Sequence, residues 1–284
     1  FPSLKIIARG NIIKVIGKTD EILLFKQKFD AILKHVSQYE SLTISQMERL
    51  VLEDDNNILS EENDLILHGQ KGRLIKARTV NQRKMVKQSE ENDMLFAIGP
   101  AGTGKTYTAV ALAVRALKQK QVRKIILTRP AVEAGENLGF LPGDLKEKLD
   151  PYLQPLYDAL LDMVPPEKLV DYTEHGIIQI APLAFMRGRT LDNAFVILDE
   201  AQNSTESQMK MFLTRMGKSA KFVITGDVTQ IDLPKHQSSG LVLAQKILQK
   251  MEGIGFVILD ERDIIRHTLV KKIIKAFHKP KKEK

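Results

Sequence analysis

The chain has 284 residues, a formal net charge of +8 and no cysteine. The absence of cysteine excludes disulfide bonds, thiolate metal sites and a cysteine nucleophile, and it favours a cytoplasmic protein. No apolar run reaches the roughly 18 residues that a membrane span needs, so we expect no membrane association. Residues 271–284 contain seven lysines and one glutamate, so most of the positive charge lies in a short tail and does not by itself predict nucleic-acid binding.

The front of the chain predicts a small α+β domain over residues 1–53. Short runs rich in isoleucine and valine are typical of strands, and the apolar residues that follow them recur at helical spacing. Two strands and two helices are predicted there, at residues 4–8, 11–16, 20–39 and 45–52. The polar stretch that comes next indicates a linker near residues 54–78.

Strand and helix patterns alternate over the larger domain, residues 79–276, which a basic tail at 277–284 follows. Continuous apolar runs of four or five residues suit a parallel sheet that is buried on both faces. Six such strands are predicted, at residues 94–98, 124–128, 177–181, 195–198, 222–225 and 256–259. Helices are predicted between them, at residues 105–118, 208–216 and 241–250, with a proline-rich helical insertion at 136–176. This alternation predicts an α/β fold with right-handed crossovers.

The strongest local signal is GPAGTGKT at residues 99–106, which fits the phosphate-loop pattern G-x-x-x-x-G-K-S/T. Glycines let the backbone approach a phosphate closely, and the N–H groups at the start of the following helix attract anions. Lys105 is expected to reach the β- and γ-phosphates, and Thr106 to offer its hydroxyl to Mg²⁺. The predicted ATP-contacting residues of the loop are Gly99, Pro100, Ala101, Gly102, Thr103, Gly104, Lys105 and Thr106.

An acidic pair follows the apolar strand FVIL at residues 195–198. Asp199 stands where a magnesium ligand is expected, and Glu200 is the candidate that orients and deprotonates the attacking water. The next strand also ends in polar residues, among which Asp227 and Gln230 are candidates for contact with the γ-phosphate.

Two further groups of side chains complete the predicted site. Gln82 lies upstream of the phosphate loop, where a carboxamide is able to read the adenine edge through two hydrogen bonds. Any of several arginines is a candidate for neutralising charge in the transition state, and these are Arg129, Arg187, Arg189 and Arg266.

Several segments resemble the PhoH-like ATPases. They are ILTRPAVEAGENLGFLPGDLKEKLDPYLQPLYDAL at 125–160, APLAFMRGRTLDNAFVILDEAQN at 181–203 and TGDVTQIDLP at 225–234. The resemblance implies a RecA-like P-loop NTPase core with a parallel sheet, preceded by a KH-like unit, and ATP hydrolysis with Mg²⁺. By similarity, Gln230 senses the γ-phosphate, and Arg266 is the candidate that acts across a subunit boundary.

The resemblance also implies partners: a ring-shaped homo-oligomer with a hexamer as one candidate, RNA, and a YbeY-type endoribonuclease. The first functional hypothesis is therefore an ATPase that remodels or unwinds RNA, with RNA helicase activity as a candidate. The alternative is a nucleotide-dependent switch or assembly factor that acts on a protein partner such as the endoribonuclease. Because residues 1–53 lack the G-x-x-G loop of KH domains, RNA binding and a scaffold role are both open for that unit.

Overall fold

The computed structural model describes residues 3–9, 12–39, 64–130 and 145–265. The chain divides into two compact units, Phe1–Asn63 and Asp64–Lys284. In the first unit, β1 (Lys5–Arg9) and β2 (Ile12–Ile16) form an antiparallel hairpin, which α1 (Thr19–Tyr39) follows. Each begins within one residue of the predicted start, while the short helix predicted at 45–52 lies outside the described residues.

The second unit is built on a six-stranded parallel sheet. Its strands are β5 (Met94–Ile98), β6 (Lys124–Arg129), β7 (Ile178–Pro182), β8 (Ala194–Leu198), β9 (Lys221–Gly226) and β10 (Ile254–Ile258). The helices are α2 (Val80–Glu91), α3 (Lys105–Lys118), α4 (Leu145–Leu161), α5 (Pro166–Glu174), α6 (Glu206–Leu213) and α7 (Gly240–Leu248). The six predicted strands are all present, and α4 and α5 occupy the predicted helical insertion.

The strands run in the order β10-β5-β9-β8-β6-β7, and every neighbouring pair is parallel. Thus β9 lies between the strand that leads into the phosphate loop and the strand that leads into the acidic pair. The predicted fold class is confirmed. Because all strands point the same way, their carboxyl ends share one edge of the sheet, where α/β proteins bind ligands.

Side chains that alternate along each strand enter two separate hydrophobic layers. On β5, Leu95 and Ala97 pack in the layer that includes α3 and α4, whereas Phe96 and Ile98 pack in the layer that includes α6 and α7. The Phe96 ring stacks on Phe256 with centroids 4.7 Å apart. Both faces of the sheet are therefore covered, which explains why its strands are apolar at consecutive positions.

The structure differs from the predicted linker at residues 64–78. There β3 (Leu65–His68) and β4 (Leu74–Lys76) form an antiparallel hairpin whose Ile66 and Ile75 side chains are buried in the core. The Gln70 amide between the strands donates to the carbonyls of Leu161 and Val164. Strands of three and four residues carry little sequence signal of their own, and these tertiary contacts stabilise them. Residues 64–78 therefore belong to the second compact unit and are not a linker.

The half-buried side chain of Tyr107 helps to hold the same region. The Tyr107 hydroxyl donates to the Asp162 carboxylate over 3.1 Å, and Arg73 of the hairpin forms an ion pair with Asp162 at 3.0 Å. Burial, and then the neighbouring Asp162, raise the pKa of Tyr107, so the hydroxyl remains a donor at neutral pH. These contacts connect the hairpin to the first turn of α3, directly after the phosphate loop.

Among the described residues, no helix combines the length and the apolar character needed to span a membrane.

The variant Ile66→Ala tests whether the hairpin belongs to the larger domain. Because Ile66 is 4% exposed, its truncation should leave a cavity and lower the free energy of unfolding by about 2–5 kcal/mol. Leu74→Ala in the same hairpin is the control, since Leu74 is 49% exposed and should cost less than about 1 kcal/mol. Urea denaturation followed by circular dichroism measures both changes, and equal small losses would show that the hairpin is not part of the cooperative unit.

Candidate functional site

The phosphate loop connects β5 to α3 at the carboxyl edge of the sheet. Gly102 and Gly104 have φ angles of +85° and +78°, which residues other than glycine rarely adopt. Gly104 is the N-cap of α3 and has no side chain with which to cap it, so the N–H groups of the first turn are directed at an anion site. A Cβ atom at Gly99 would lie 2.4 Å from the Leu259 carbonyl oxygen, so the loop must begin with glycine.

Lys105 supplies the positive charge of the loop. Its ammonium group donates to the Gly99 carbonyl over 2.6 Å and to the Pro100 carbonyl over 2.8 Å. The side chain is largely buried, at 9% exposure, so its charge is held inside the curve of the loop. Backbone donors and one ammonium group around a glycine-lined turn fit a chain of phosphates.

The predicted magnesium ligands lie together. Thr106 donates its hydroxyl to Asp199 Oδ1 over 2.7 Å, and Thr225 at the end of β9 donates to the same oxygen over 2.5 Å. Asp199 Oδ2 accepts from Arg129 Nε at 2.8 Å and from Nη2 at 2.5 Å. A hydroxyl and a carboxylate side by side at the phosphate loop are the oxygen donors that Mg²⁺ prefers, so these residues fit that cation.

Glu200 has an unusual backbone conformation. Its φ and ψ angles are 53° and 38°, in the left-handed region where residues with side chains are uncommon. The Gln202 amide donates to Glu200 Oε2 over 2.7 Å and accepts from the Asp227 N–H over 2.9 Å. Arg129 Nη2 lies 3.9 Å from Glu200 Oε1. Glu200, the candidate base, is thus half-exposed, with Gln202 bonded to one carboxylate oxygen and Arg129 of β6 near the other. Residues with side chains in this strained backbone conformation cluster at functional sites.

The turn after β9 contacts the phosphate loop directly. Asp227 is buried, and its Oδ2 accepts from the Ala101 N–H over 3.1 Å. Gln230 lies in the same turn, is exposed, and donates its main-chain N–H to the Asp227 carbonyl over 3.0 Å. The predicted contact of Gln230 with the γ-phosphate stays a prediction.

Gln82 lies against the phosphate loop. Its side chain is 3% exposed and bridges two main-chain groups: Nε2 donates to the Thr103 carbonyl over 2.9 Å, and Oε1 accepts from the Arg78 N–H over 2.7 Å. A Cβ atom at Gly104 would lie 2.7 Å from Gln82 Nε2. The carboxamide keeps one donor and one acceptor position for a base, so adenine recognition stays a prediction while support of the loop is observed.

Among the candidate arginines that the structure describes, Arg129 lies at the site, where it contacts Asp199. Arg189 instead donates to Gln179 over 2.7 Å, and Arg266 lies outside the described residues.

Sequence reasoning missed Thr225 and Gln202. The signal that points to Thr225 is its place near the end of a strand beside β8, because neighbouring parallel strands deliver their last residues to one edge. That signal requires the strand order, which the sequence alone did not supply. Gln202 follows the acidic pair by two residues, within a short 3₁₀ turn at Ala201–Asn203.

The sequence profile of the family described as "PhoH-like protein" matches residues 74–278, which include every described residue of the site. The chain belongs to the PhoH-like family. A PhoH-like protein of Bacillus subtilis is 51% identical over 284 residues, which cover 98% of this chain and 88% of the relative. One of Mycobacterium tuberculosis is 48% identical over 272 residues, which cover 95% and 77% of the two chains. The predicted family is therefore confirmed.

Solved helicases show a weaker similarity to this PhoH-like protein. Pif1 helicase from Candida albicans has a TM-score of 0.38 at 16% identity, with 71% of this chain and 43% of that chain covered. The helicase MrfA bound to DNA has a TM-score of 0.39 at 13% identity, with 72% and 28% covered. These scores are low, so the fold assignment rests on the strand order and the phosphate loop.

The variant Gln82→Ala separates loop support from base recognition. Removing the two hydrogen bonds that bridge Arg78 and Thr103 should weaken ATP and GTP binding equally, by about tenfold, which is within the net contribution of one or two hydrogen bonds. Calorimetric titration with both nucleotides measures this, and Lys87→Ala on the exposed face of α2 is the control. A loss for ATP with unchanged GTP affinity would contradict the loop role and favour adenine recognition.

Proposed function

We propose that this PhoH-like protein is a Mg²⁺-dependent ATPase that uses turnover to remodel or unwind RNA. The observation that supports ATPase activity is the 2.7 Å contact between the Thr106 hydroxyl and the Asp199 carboxylate. Thr106 ends the phosphate loop, and Asp199 directly precedes Glu200, the residue expected to activate water. This contact brings together the two residues expected to hold the cation.

Binding falls to the phosphate loop. The N–H groups at the start of α3 and the Lys105 ammonium group provide positive charge, and the positive φ angles of Gly102 and Gly104 keep the backbone close to the phosphates. Thr106 and Asp199 would hold the cation. Mg²⁺, when bound, supplies charge neutralisation for the phosphate oxygens.

Hydrolysis falls to Glu200, the predicted general base. Its carboxylate accepts a proton from the attacking water, and the Gln202 amide fixes one of its oxygens so that the other keeps its acceptor positions for water. The hydrogen bond from the Ala101 N–H to Asp227 connects the phosphate loop to the turn that carries Gln230. A change at the loop is thereby passed to the predicted γ-phosphate sensor.

RNA as the substrate is supported by the family resemblance of the sequence. A ring-shaped homo-oligomer, hexamer included, belongs to the same proposal, because a single core needs neighbouring subunits to separate strands. Arg266 is proposed to act across the subunit boundary. The basic tail at 277–284 suits contact with a polyanion.

One observation favours the alternative, a nucleotide-dependent switch that acts on a protein partner such as a YbeY-type endoribonuclease. Among the phenylalanine and tyrosine side chains that the structure describes, Phe185 is the one that is exposed, at 55%. Proteins that bind single strands usually stack successive bases on several aromatic side chains, and the described surface offers one phenylalanine or tyrosine for this.

Two variants should separate binding from hydrolysis. Lys105→Ala should abolish most ATP binding, because it removes the ammonium group of the loop. Glu200→Gln should bind ATP nearly as tightly as the wild type and hydrolyse it about a hundredfold more slowly, the scale of losing a general base. Calorimetry measures binding, and phosphate release measures turnover. Near wild-type turnover of Glu200→Gln would exclude it as the base.

The RNA proposal predicts that single-stranded RNA stimulates ATP turnover of the size-purified oligomer. Turnover should rise several-fold with RNA and stay at its basal level with an equal charge of heparin, and a fluorescent duplex assay then reports strand separation. Stimulation by a purified endoribonuclease but not by RNA would instead select the switch.

A further inference from the structure

Asp199 has no acceptor position to spare. An ionised carboxylate offers about four lone-pair sites, and in this structure Asp199 accepts four hydrogen bonds. Two come from neutral hydroxyls, those of Thr106 and Thr225, and two come from the guanidinium group of Arg129. A cation that uses Asp199 as a ligand, directly or through a water molecule, must release at least one of these bonds.

The charge of the donors decides which bond is released. Threonine hydroxyls are neutral, so a nearby cation does not repel them. The Thr106 oxygen can face a cation with little loss of favourable interaction energy. The guanidinium is itself a cation, so a divalent ion near Asp199 repels it. Because the guanidinium and Asp199 are both largely shielded from solvent, water and salt screen this repulsion only weakly. The side chains of Arg129 and Asp199 are 14% and 2% exposed, so this repulsion acts inside the protein.

The guanidinium has a second carboxylate within reach. Arg129 Nη2 lies 3.9 Å from Glu200 Oε1 and 2.5 Å from Asp199 Oδ2, so a small rotation transfers it from one acidic residue to the other. Arg129 is the last residue of β6, whose backbone is fixed in the sheet by pairing with both β7 and β8. The side chain can therefore exchange partners without a change in the fold.

We propose that Arg129 competes with the divalent cation for Asp199, so that the cation binds only when the guanidinium leaves that carboxylate. This inference rests on the proposed function in taking Asp199 as the cation ligand. It makes Arg129 a positioning residue: its charge opposes binding of the cation alone, and the negative charge of a triphosphate offsets that opposition. Cation and nucleotide then bind with positive coupling.

The test measures binding of Mn²⁺ alone to the nucleotide-free full-length chain, through the paramagnetic resonance signal of the free ion. Mn²⁺ takes the same oxygen ligands as Mg²⁺. Arg129→Gln keeps a hydrogen-bond donor and removes the charge, and it should bind Mn²⁺ at least tenfold more tightly than the wild type. Arg129→Lys keeps the charge and should stay within about threefold of the wild type, which a purely structural role would not predict.

The double variant Arg129→Gln with Asp199→Asn assigns the site, because the gain in Mn²⁺ affinity should disappear in it. Arg129→Met serves as a second neutral variant if the glutamine variant does not fold. The proposal is overturned if a folded neutral variant binds Mn²⁺ no better than the wild type, or if the gain survives Asp199→Asn. Failure of ATP hydrolysis would end the proposed function, yet the Mn²⁺ comparison would still decide the role of Arg129.

Discussion

A buried negative charge organises this edge of the sheet. Asp199 is 1% exposed, and an ionised carboxylate out of water is costly unless donors surround it. Its donors come from α3 and from the strands on both sides of β8, so four elements have to meet at one point. The strand order places β6 and β9 next to β8 and thereby makes that meeting possible. The strand order of the fold is therefore also what brings the donors of the site to Asp199.

The same constraint limits what substitution can do here. Removing one partner of a buried ion pair typically costs about 3–5 kcal/mol, because the other charge is left uncompensated. Asp199 keeps the hydroxyls of Thr106 and Thr225 when the guanidinium is elsewhere, so the carboxylate is never without donors. A buried carboxylate that keeps two neutral donors is able to release a charged donor, whereas a carboxylate with a single donor is not.

The sequence predicted what depends on local chemistry. The phosphate loop, the acidic pair and the six strands follow from spacing and apolar runs. Thr106 and Asp199, both predicted as magnesium ligands, are in contact in the structure, and each lies in a segment with a strong sequence signal. Thr225 and Gln202 were missed, since their roles depend on which strands are neighbours. The hairpin at 64–78 was missed because its strands are short and its stability comes from contacts with residues nearly a hundred positions away.

The segment after β10 is hydrogen-bonded to the phosphate loop. The Ile265 N–H donates to the Gly102 carbonyl over 3.0 Å, and Asp263, held by the Asn81 amide at 2.8 Å, fixes the chain just before it. A main-chain hydrogen bond therefore connects the phosphate loop at Gly102 to the chain at Ile265. A displacement of the phosphate loop at Gly102 would thus act directly on Ile265, without involving the sheet.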